Sequence, residues 1–218
     1  MRVQATMKVQ IQVPQLCLVT DPTVPDLLAR IKQALEAGIT MLQLRGHDLP
    51  ANQLYELAQE IGPLCRQHGT LFIVNDRIDV ALATGADGVQ LGSRSLPPMA
   101  ARMVIGPQRL LGVSVHSLAQ ARTAIEQGAD FLIAGTIFAS RSHPDRPTAG
   151  TELLRQIKQH APSLPVLGIG GINATNAGQV MEAGADGIAV ISAILLAEDI
   201  PHSVQELRRT IGLCKSFL

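Results

Sequence analysis

The sequence predicts an α/β fold, a single (β/α)8 TIM barrel with a short N-terminal extension. Three observations carry the prediction. Eight short apolar runs are bounded by turn residues, amphipathic helical patterns lie between them, and a Gly-Ala-Asp triplet recurs three times where a helix hands over to a strand.

The apolar runs fall at residues 16–19, 41–44, 71–74, 88–91, 111–115, 131–134, 165–169 and 187–191. Each is a short Val/Ile/Leu-rich stretch closed by Gly, Asp or Pro, the pattern of a strand buried on both faces. Helical spacing marks 26–37, with Leu27, Leu28, Ile31 and Leu35 on one side, and 52–66, with Leu54, Leu57, Ala58, Ile61 and Leu64. It also marks 117–126, where Ser117 is placed to cap, and 151–160, with Leu153, Leu154 and Ile157. Strand–helix alternation implies parallel crossovers. The triplets 85–87, 128–130 and 184–186 are one joint used three times, which favours a symmetric barrel over the alternative, an open doubly wound sheet. The barrel is expected over 15–218, preceded by an extension over 1–14 that serves as an extra strand or a barrel cap.

Composition narrows the function. With 46% apolar and 17% charged residues the chain is globular, and with 2% aromatics its core must be aliphatic. Eighteen basic residues balance eighteen acidic ones, so no positive field for nucleic acid and no polybasic run for a membrane is expected. Residues 1–15 alternate polar and apolar positions and lack the apolar core of a signal peptide. Cys17, Cys65 and Cys214 have no pairing or zinc-like spacing. A cytoplasmic protein is expected.

In such a barrel, ligands bind in the loops that follow the strands. Polar residues cluster there: Thr20-Asp21, Arg45-Gly46-His47-Asp48, Asn75-Asp76-Arg77, Gly92-Ser93-Arg94-Ser95, His116, Gly135-Thr136, Gly170-Gly171-Ile172-Asn173 and Ser192-Ala193. The glycines of 168–171, with a short helix starting near Ser192, predict backbone amides around a phosphate; the plainer reading is a tight turn. Arg45 suits a phosphate or carboxylate, or else a surface ion pair with Asp48 or Asp21. Asn75-Asp76 suits a metal or a substrate amine, or else a turn capping the next helix. His47, His116 and His143 lie in strand-end loops, and His116 is best placed for acid/base work, unless it is a structural rim residue. His68, His160 and His202 fall near helix ends and read as solvated. Residues 140–150 form a long loop whose Pro144, Pro147 and Gly150 are compatible with a lid.

Taken in order, Gln43-Leu44-Arg45, Val74-Asn75-Asp76-Arg77-Ile78-Asp79, Gly85-Ala86-Asp87-Gly88-Val89-Gln90-Leu91-Gly92, Gly112-Val113-Ser114-Val115-His116, Gly168-Ile169-Gly170-Gly171-Ile172 and Gly184-Ala185-Asp186-Gly187 through Ile194 resemble the thiamine phosphate synthase superfamily. That superfamily includes magnesium-dependent thiamine phosphate synthases and related thiazole tautomerases. The resemblance runs from about Gln15 to Ile211. A synthase of this kind joins an aminomethylpyrimidine diphosphate to a thiazole phosphate and releases diphosphate. The synthase pattern has a lysine where this chain has His47. It has a metal-binding aspartate where this chain has Ser95 beside Arg94, and Thr-x-Thr-Lys where this chain has Ser140-Arg141-Ser142-His143.

Those departures weaken support for a leaving diphosphate, so the resemblance implies a closer fit to the tautomerase branch. On that reading the enzyme is an isomerase that aromatises a carboxythiazole phosphate by proton transfer. Gly170, Gly171, Ile191 and Ser192 hold the phosphate and Arg45 the carboxylate. His116, in competition with His47 and His143, moves the proton, and Gln43, Asn75, Asp76, Ser114, Thr136, Ser140 and Ser142 orient the ring. Tautomerases of this group can carry a histidine after the glycine ending strand 6, where this chain has Thr136. No cofactor is expected. Mg2+ at Asp76 enters only under the alternative, a synthase that also binds the pyrimidine diphosphate. A second alternative is a non-catalytic metabolite-binding or regulatory protein. The expected partner is a small phosphorylated thiazole, with a homodimer left open.

Overall fold

The computed structural model describes residues 9–139 and 147–213. Its elements are β1 (Gln15–Val19), α1 (Leu27–Ala37), β2 (Met41–Leu44), α2 (Ala51–Gln67), β3 (Leu71–Asn75), α3 (Ile78–Thr84), β4 (Gly88–Leu91) and α4 (Pro98–Ile105). They continue with β5 (Leu110–Val115), α5 (Leu118–Glu126), β6 (Phe131–Gly135), α6 (Glu152–His160), β7 (Val166–Ile169), α7 (Ala177–Glu182), β8 (Gly187–Val190), α8 (Ser192–Leu195) and α9 (Ile200–Thr210). The strands pair in sequence order, all parallel, and β8 returns to β1 with Gln15 opposite Gly187 and Leu18 opposite Val190. The sheet is therefore a closed barrel, and the open-sheet alternative is excluded.

Both faces of each strand are buried, which is why the runs are continuous instead of alternating. Leu16, Leu18, Leu42, Leu44 and Val74 face outward into the layer shared with the helices. Cys17, Val19, Met41, Ile73, Leu110, Phe131, Ile133, Leu167 and Ala189 fill the barrel interior. Burial pushes the Cys17 thiol up to about 12, so it is an inert core residue. Where the strands begin, Val9 and Ile11 pack against this inner cluster, and the Val9 N–H donates to the Gln108 carbonyl at 3.2 Å. The earlier part of the expected extension, residues 1–8, lies outside the described residues, as do Cys214 and most of the 140–150 loop.

The Gly-Ala-Asp triplets are more than turns. Each glycine is left-handed, with φ of 66° at Gly85, 87° at Gly128 and 89° at Gly184. Each aspartate then staples the preceding strand. Asp87, Asp130 and Asp186 accept from the N–H groups of Phe72 (2.7 Å), Leu111 (2.9 Å) and Val166 (2.9 Å). Their own N–H groups donate back to the carbonyls of the same three residues at 2.9, 2.7 and 2.8 Å. The side chain thus satisfies a backbone amide at the start of a strand, the first or second residue, which would otherwise be left unpaired near the floor of the sheet. Half-buried Arg102 and Lys158 pair with Asp130 and Asp186.

Gly88, the residue after the first triplet, has no room for a side chain. A Cβ there would lie 2.4 Å from the Leu110 carbonyl oxygen and 2.6 Å from the Leu110 Cβ. Gly88→Ala must spread β4 from β5. Overpacking of this kind costs about 1–3 kcal/mol, and Tm is expected to fall by roughly 3–10 °C, measured by circular dichroism. An unchanged Tm would mean that the two strands pack less tightly than described.

The helical spacing located α1, α2, α5 and α6, and the short helix expected near Ser192 is α8. The spacing marked neither α9 nor α3, α4 and α7, the last three having seven, eight and six residues. So few turns cannot show a period. Ser117 caps α5 as expected, accepting from the Gln120 N–H at 3.2 Å.

Candidate active site

All eight strands point their C-terminal ends at one cavity of about 740 Å3. Of the predicted site residues, Gln43, Arg45, His47, Asn75, Asp76, Ser114, His116, Thr136, Gly170, Gly171, Ile191 and Ser192 line it together. Ser140, Ser142 and His143 fall outside the described residues.

Arg45 is aimed by Thr20. The buried Thr20 hydroxyl accepts from the Arg45 N–H at 2.8 Å and donates to the Arg45 carbonyl at 3.0 Å, which latches the end of β1 to the end of β2. Among the described residues no ion pair joins Arg45 to Asp48 or Asp21, so the surface-pair alternative does not hold.

Asn75 ends β3 and is buried. Its Oδ1 accepts from Gln43 Nε2 at 2.6 Å, and its Nδ2 donates to Asp76 Oδ2 at 2.7 Å. Gln43 Oε1 is buried with no partner. A buried acceptor left open on a cavity wall is where a ligand N–H belongs, since the desolvation it has paid is otherwise uncompensated.

Asp76 adopts φ of 58°, an unusual conformation for a residue with a side chain. It does not cap α3, whose N-cap residue is Arg77, so the capping alternative also fails. Instead its carboxylate accepts three hydrogen bonds and meets the His47 ring. Oδ1 accepts from the Gly92 N–H at 3.0 Å and from the Ser95 hydroxyl, while Oδ2 accepts from Asn75 and stands 3.1 Å from His47 Nδ1.

Burial is the first cause that holds His47 below its ordinary value. The Arg45 guanidinium adds to this, as does Arg94, and Asp76 only partly offsets them. The folded protein therefore takes up a proton at His47 less readily than the unfolded chain. The contribution of this residue to stability is complete above 6.5 and is lost as pH falls through the lowered value. NMR titration is expected to give a His47 pKa below 6.5 that rises in Arg94→Gln; a value above 6.5 would mean that Asp76 outweighs the two arginines.

Across the ring, the turn after β7 uses left-handed glycines, Gly170 with φ of 103° and Gly171 with φ of 62°. A Cβ on Gly170 would lie 2.5 Å from Thr136 Cγ2, and one on Gly171 would lie 2.3 Å from the Ala139 carbonyl oxygen. The turn is pinned by Asn176, whose Nδ2 donates to the Gly171 carbonyl at 2.9 Å, and by the Phe138 N–H, which donates to the Gly170 carbonyl at 3.0 Å. β8 ends at Val190, so Ile191 is the N-cap residue of α8 and not part of the strand as expected. A helix of four residues has little macrodipole. What it offers an anion is its first amides, at Ser192 and Ala193, which have no preceding turn to bond to.

His116 lies between these two sides. Its Nδ1 is hydrogen-bonded to the Gly135 carbonyl, so Nδ1 carries the hydrogen and Nε2 is the acceptor in the neutral ring. Below it, Gln90 Nε2 donates to the Ser114 hydroxyl at 3.0 Å.

A family model described as thiamine monophosphate synthase matches residues 16–194. The chain belongs to that family. Thiamine-phosphate synthase of Pyrococcus horikoshii is 45% identical over 197 residues, 90% of this chain and 94% of the relative. Thiamine-phosphate synthase of Moorella thermoacetica is 45% identical over 185 residues, 84% of this chain and 88% of the relative. The structure of thiamine phosphate pyrophosphorylase from Pyrococcus furiosus superimposes with a TM-score of 0.85 at 41% identity, covering 91% of this chain and 96% of the other.

These relatives correct the expectation of a thiazole tautomerase and of an isomerase, because proteins this similar over nearly the whole chain are named synthases. The expectation rested on charge, and it left one cation of the cavity out. The lysines of the synthase pattern that are missing at His47 and His143 pointed to a site short of charge, yet Arg94 lines the cavity. Its signal was weaker than that of Arg45: Arg45 directly follows Leu44, whereas Arg94 stands three residues after Leu91, within the loop that follows β4. Ser95 and Gln90, which hold Asp76 and Ser114 in place, were also missed as parts of the site.

The Mg2+ that the synthase resemblance implies fits this donor set poorly. Among the described residues Asp76 is the one carboxylate on the cavity wall, and no group of three or more His, Cys, Asp or Glu is placed to hold a metal. A carboxylate has about four lone-pair sites; three hydrogen bonds already use Asp76, and the His47 ring stands against Oδ2.

Proposed function

We propose that the protein is a thiamine-phosphate synthase, joining an aminomethylpyrimidine diphosphate to a thiazole phosphate. The observation that supports this best is a cavity with two anion-binding sides. Glycine amides after β7 and the first amides of α8 face Arg45, His47 and Arg94 after β2 and β4 across the closed ring. A carboxythiazole phosphate would use the amides for its phosphate and one cation for its carboxylate; a monophosphate and a diphosphate call for the amides and both guanidinium groups.

On this reading the thiazole phosphate sits on Gly170, Gly171 and Ser192, and the diphosphate faces the guanidinium groups. Gln43 Oε1 accepts from the pyrimidine amino group. The methylene–oxygen bond breaks, its electron pair leaves on the diphosphate, and the thiazole nitrogen supplies the pair for the new carbon–nitrogen bond. Positive charge held in place before the reaction lowers the barrier, because charge builds on the leaving oxygen and the surroundings need no reorganisation. Ser114, Thr136 and His116 surround the reacting carbon from β5 and β6 and limit its access to water.

Incubation of the purified protein with both substrates, followed by chromatography, is expected to show thiamine phosphate and diphosphate forming in equal amounts. Absence of both, with an ultraviolet change in a carboxythiazole phosphate alone, would contradict the proposal.

A further inference from the structure

We infer that this chain holds and releases diphosphate against fixed cations, chiefly the Arg94 and Arg45 guanidinium groups, and that Asp76 is a positioning residue of that anion site instead of a metal ligand. The inference rests on the synthase reading and names how the diphosphate half of that site works.

The first support is the state of the Asp76 carboxylate. A metal ion must displace one of the four groups gathered on it, three of them hydrogen-bond donors. Two are held firmly: Gly92 N–H belongs to the backbone after β4, and Asn75 is fixed on its other side by Gln43 at 2.6 Å. The remaining two, Ser95 and His47, come from the loops that follow β4 and β2. Asp76 thus ties together the segments that carry Arg94 and Arg45, one residue before Ser95 and two before His47. The pattern is that of an internal brace.

The second support is charge. Where the family pattern places a carboxylate, this chain has Ser95, and the neighbouring Arg94 lies on the cavity wall. The loop after β4 therefore carries a positive charge at the place where a metal-dependent site would carry a negative one. Such a loop repels a divalent cation and attracts the anion that the cation would have neutralised. Guanidinium groups suit this task because they stay charged at any working pH and offer parallel N–H donors to phosphate oxygens. They neither gain nor lose a proton in the step, so the electron pair that leaves on the diphosphate is balanced by the thiazole nitrogen alone.

The third support is Ser95 itself. Its hydroxyl donates to Asp76 Oδ1 while accepting from the Gly92 N–H at 2.7 Å. An aspartate at this position would set a second negative charge against Asp76 and would remove that donor, which opens both carboxylates to a metal.

The test uses protein freed of metal with EDTA. Calorimetry follows the binding of inorganic diphosphate with and without excess Mg2+, and the electron paramagnetic resonance signal of free Mn2+ reports metal binding in the absence of diphosphate. Wild type is expected to bind diphosphate without metal and to leave the Mn2+ signal unchanged. Arg94→Gln is expected to weaken metal-free diphosphate binding about 10–100-fold, the loss of one or two charge-assisted hydrogen bonds. Arg94 is exposed, so this variant should fold, and an unchanged Tm checks that. Ser95→Asp is expected to weaken metal-free binding, quench the Mn2+ signal and recover diphosphate binding when Mg2+ is added. Wild type that binds diphosphate only with Mg2+, or quenches Mn2+ stoichiometrically, overturns the inference, as does Arg94→Gln with affinity within twofold of wild type. Product formation from the two substrates, assayed separately with and without Mg2+, decides the synthase reading. Thiamine phosphate made only with Mg2+ sinks the inference and keeps that reading, and no product under either condition sinks that reading.

Discussion

Gly171→Ala is expected to lower kcat/KM by roughly 100-fold or more, chiefly through weaker binding of the thiazole phosphate. Two costs combine. The residue sits at φ of 62°, where a side chain costs about 1–2 kcal/mol. The added Cβ would also stand 2.3 Å from the Ala139 carbonyl oxygen and 2.9 Å from the Phe138 Cβ, which are parts of the loop after β6 and not the ends of flexible side chains. The turn must open, and the amides that face the anion move with it. Displacements of about 1 Å at a bound group can cost two orders of magnitude in rate. Steady-state kinetics with each substrate varied in turn checks this. A loss confined to the pyrimidine diphosphate would place the phosphate cradle elsewhere.

Asn75→Ala is expected to damage stability and activity together. Asn75 is buried and bridges Gln43 to Asp76. Without it, the Gln43 amide, whose Oε1 already has no partner, loses its Nε2 partner as well. Leaving a buried donor unpaired costs about 1–3 kcal/mol, so Tm should fall by roughly 3–10 °C. Asp76 loses one donor on the side that faces His47, and Gln43 loses its orientation toward the pyrimidine. The rate is expected to drop about 100-fold, on the order of the effect of losing a positioned charge-stabilising contact. Asn75→Asp is a useful contrast, since it keeps the acceptor for Gln43 Nε2 but sets a second carboxylate against Asp76. It should recover Tm above that of Asn75→Ala only in so far as the Gln43 contact dominates.

How much of this was legible in the sequence follows from the physics of each part. A strand buried on both faces writes itself as a continuous apolar run, so all eight were readable to within a residue or so, as at β5, which begins at Leu110 and not Leu111. The closing glycines of the three repeated joints were readable because only left-handed backbone demands them there. The aspartates were not recognised as staples, since a side chain that bonds across to another strand leaves no local trace.

The mouth of the barrel was legible for the same reason as the strands. A polar residue directly after an apolar run has nowhere to point but the rim, which found Arg45, Asn75, Asp76, His116 and Ser192. What sequence spacing could not supply was pairing across the ring. That Ser95 and His47 meet on Asp76, from positions 19 residues ahead and 29 behind, depends on barrel closure and register. Without that pairing, the substitutions at His47 and Ser95 looked like a site losing its charge, and the tautomerase followed. With it, the loop after β4 is a site whose charge has moved from a metal ligand to Arg94.

The account depends most on two anions occupying opposite sides of one mouth. A crystal structure grown with thiamine phosphate and inorganic diphosphate tests this directly. The monophosphate should lie on the amides of Gly170, Gly171 and Ser192, with the diphosphate against Arg45 and Arg94. Both anions stacked on one side of the ring, or a diphosphate bound away from both arginines, would contradict it.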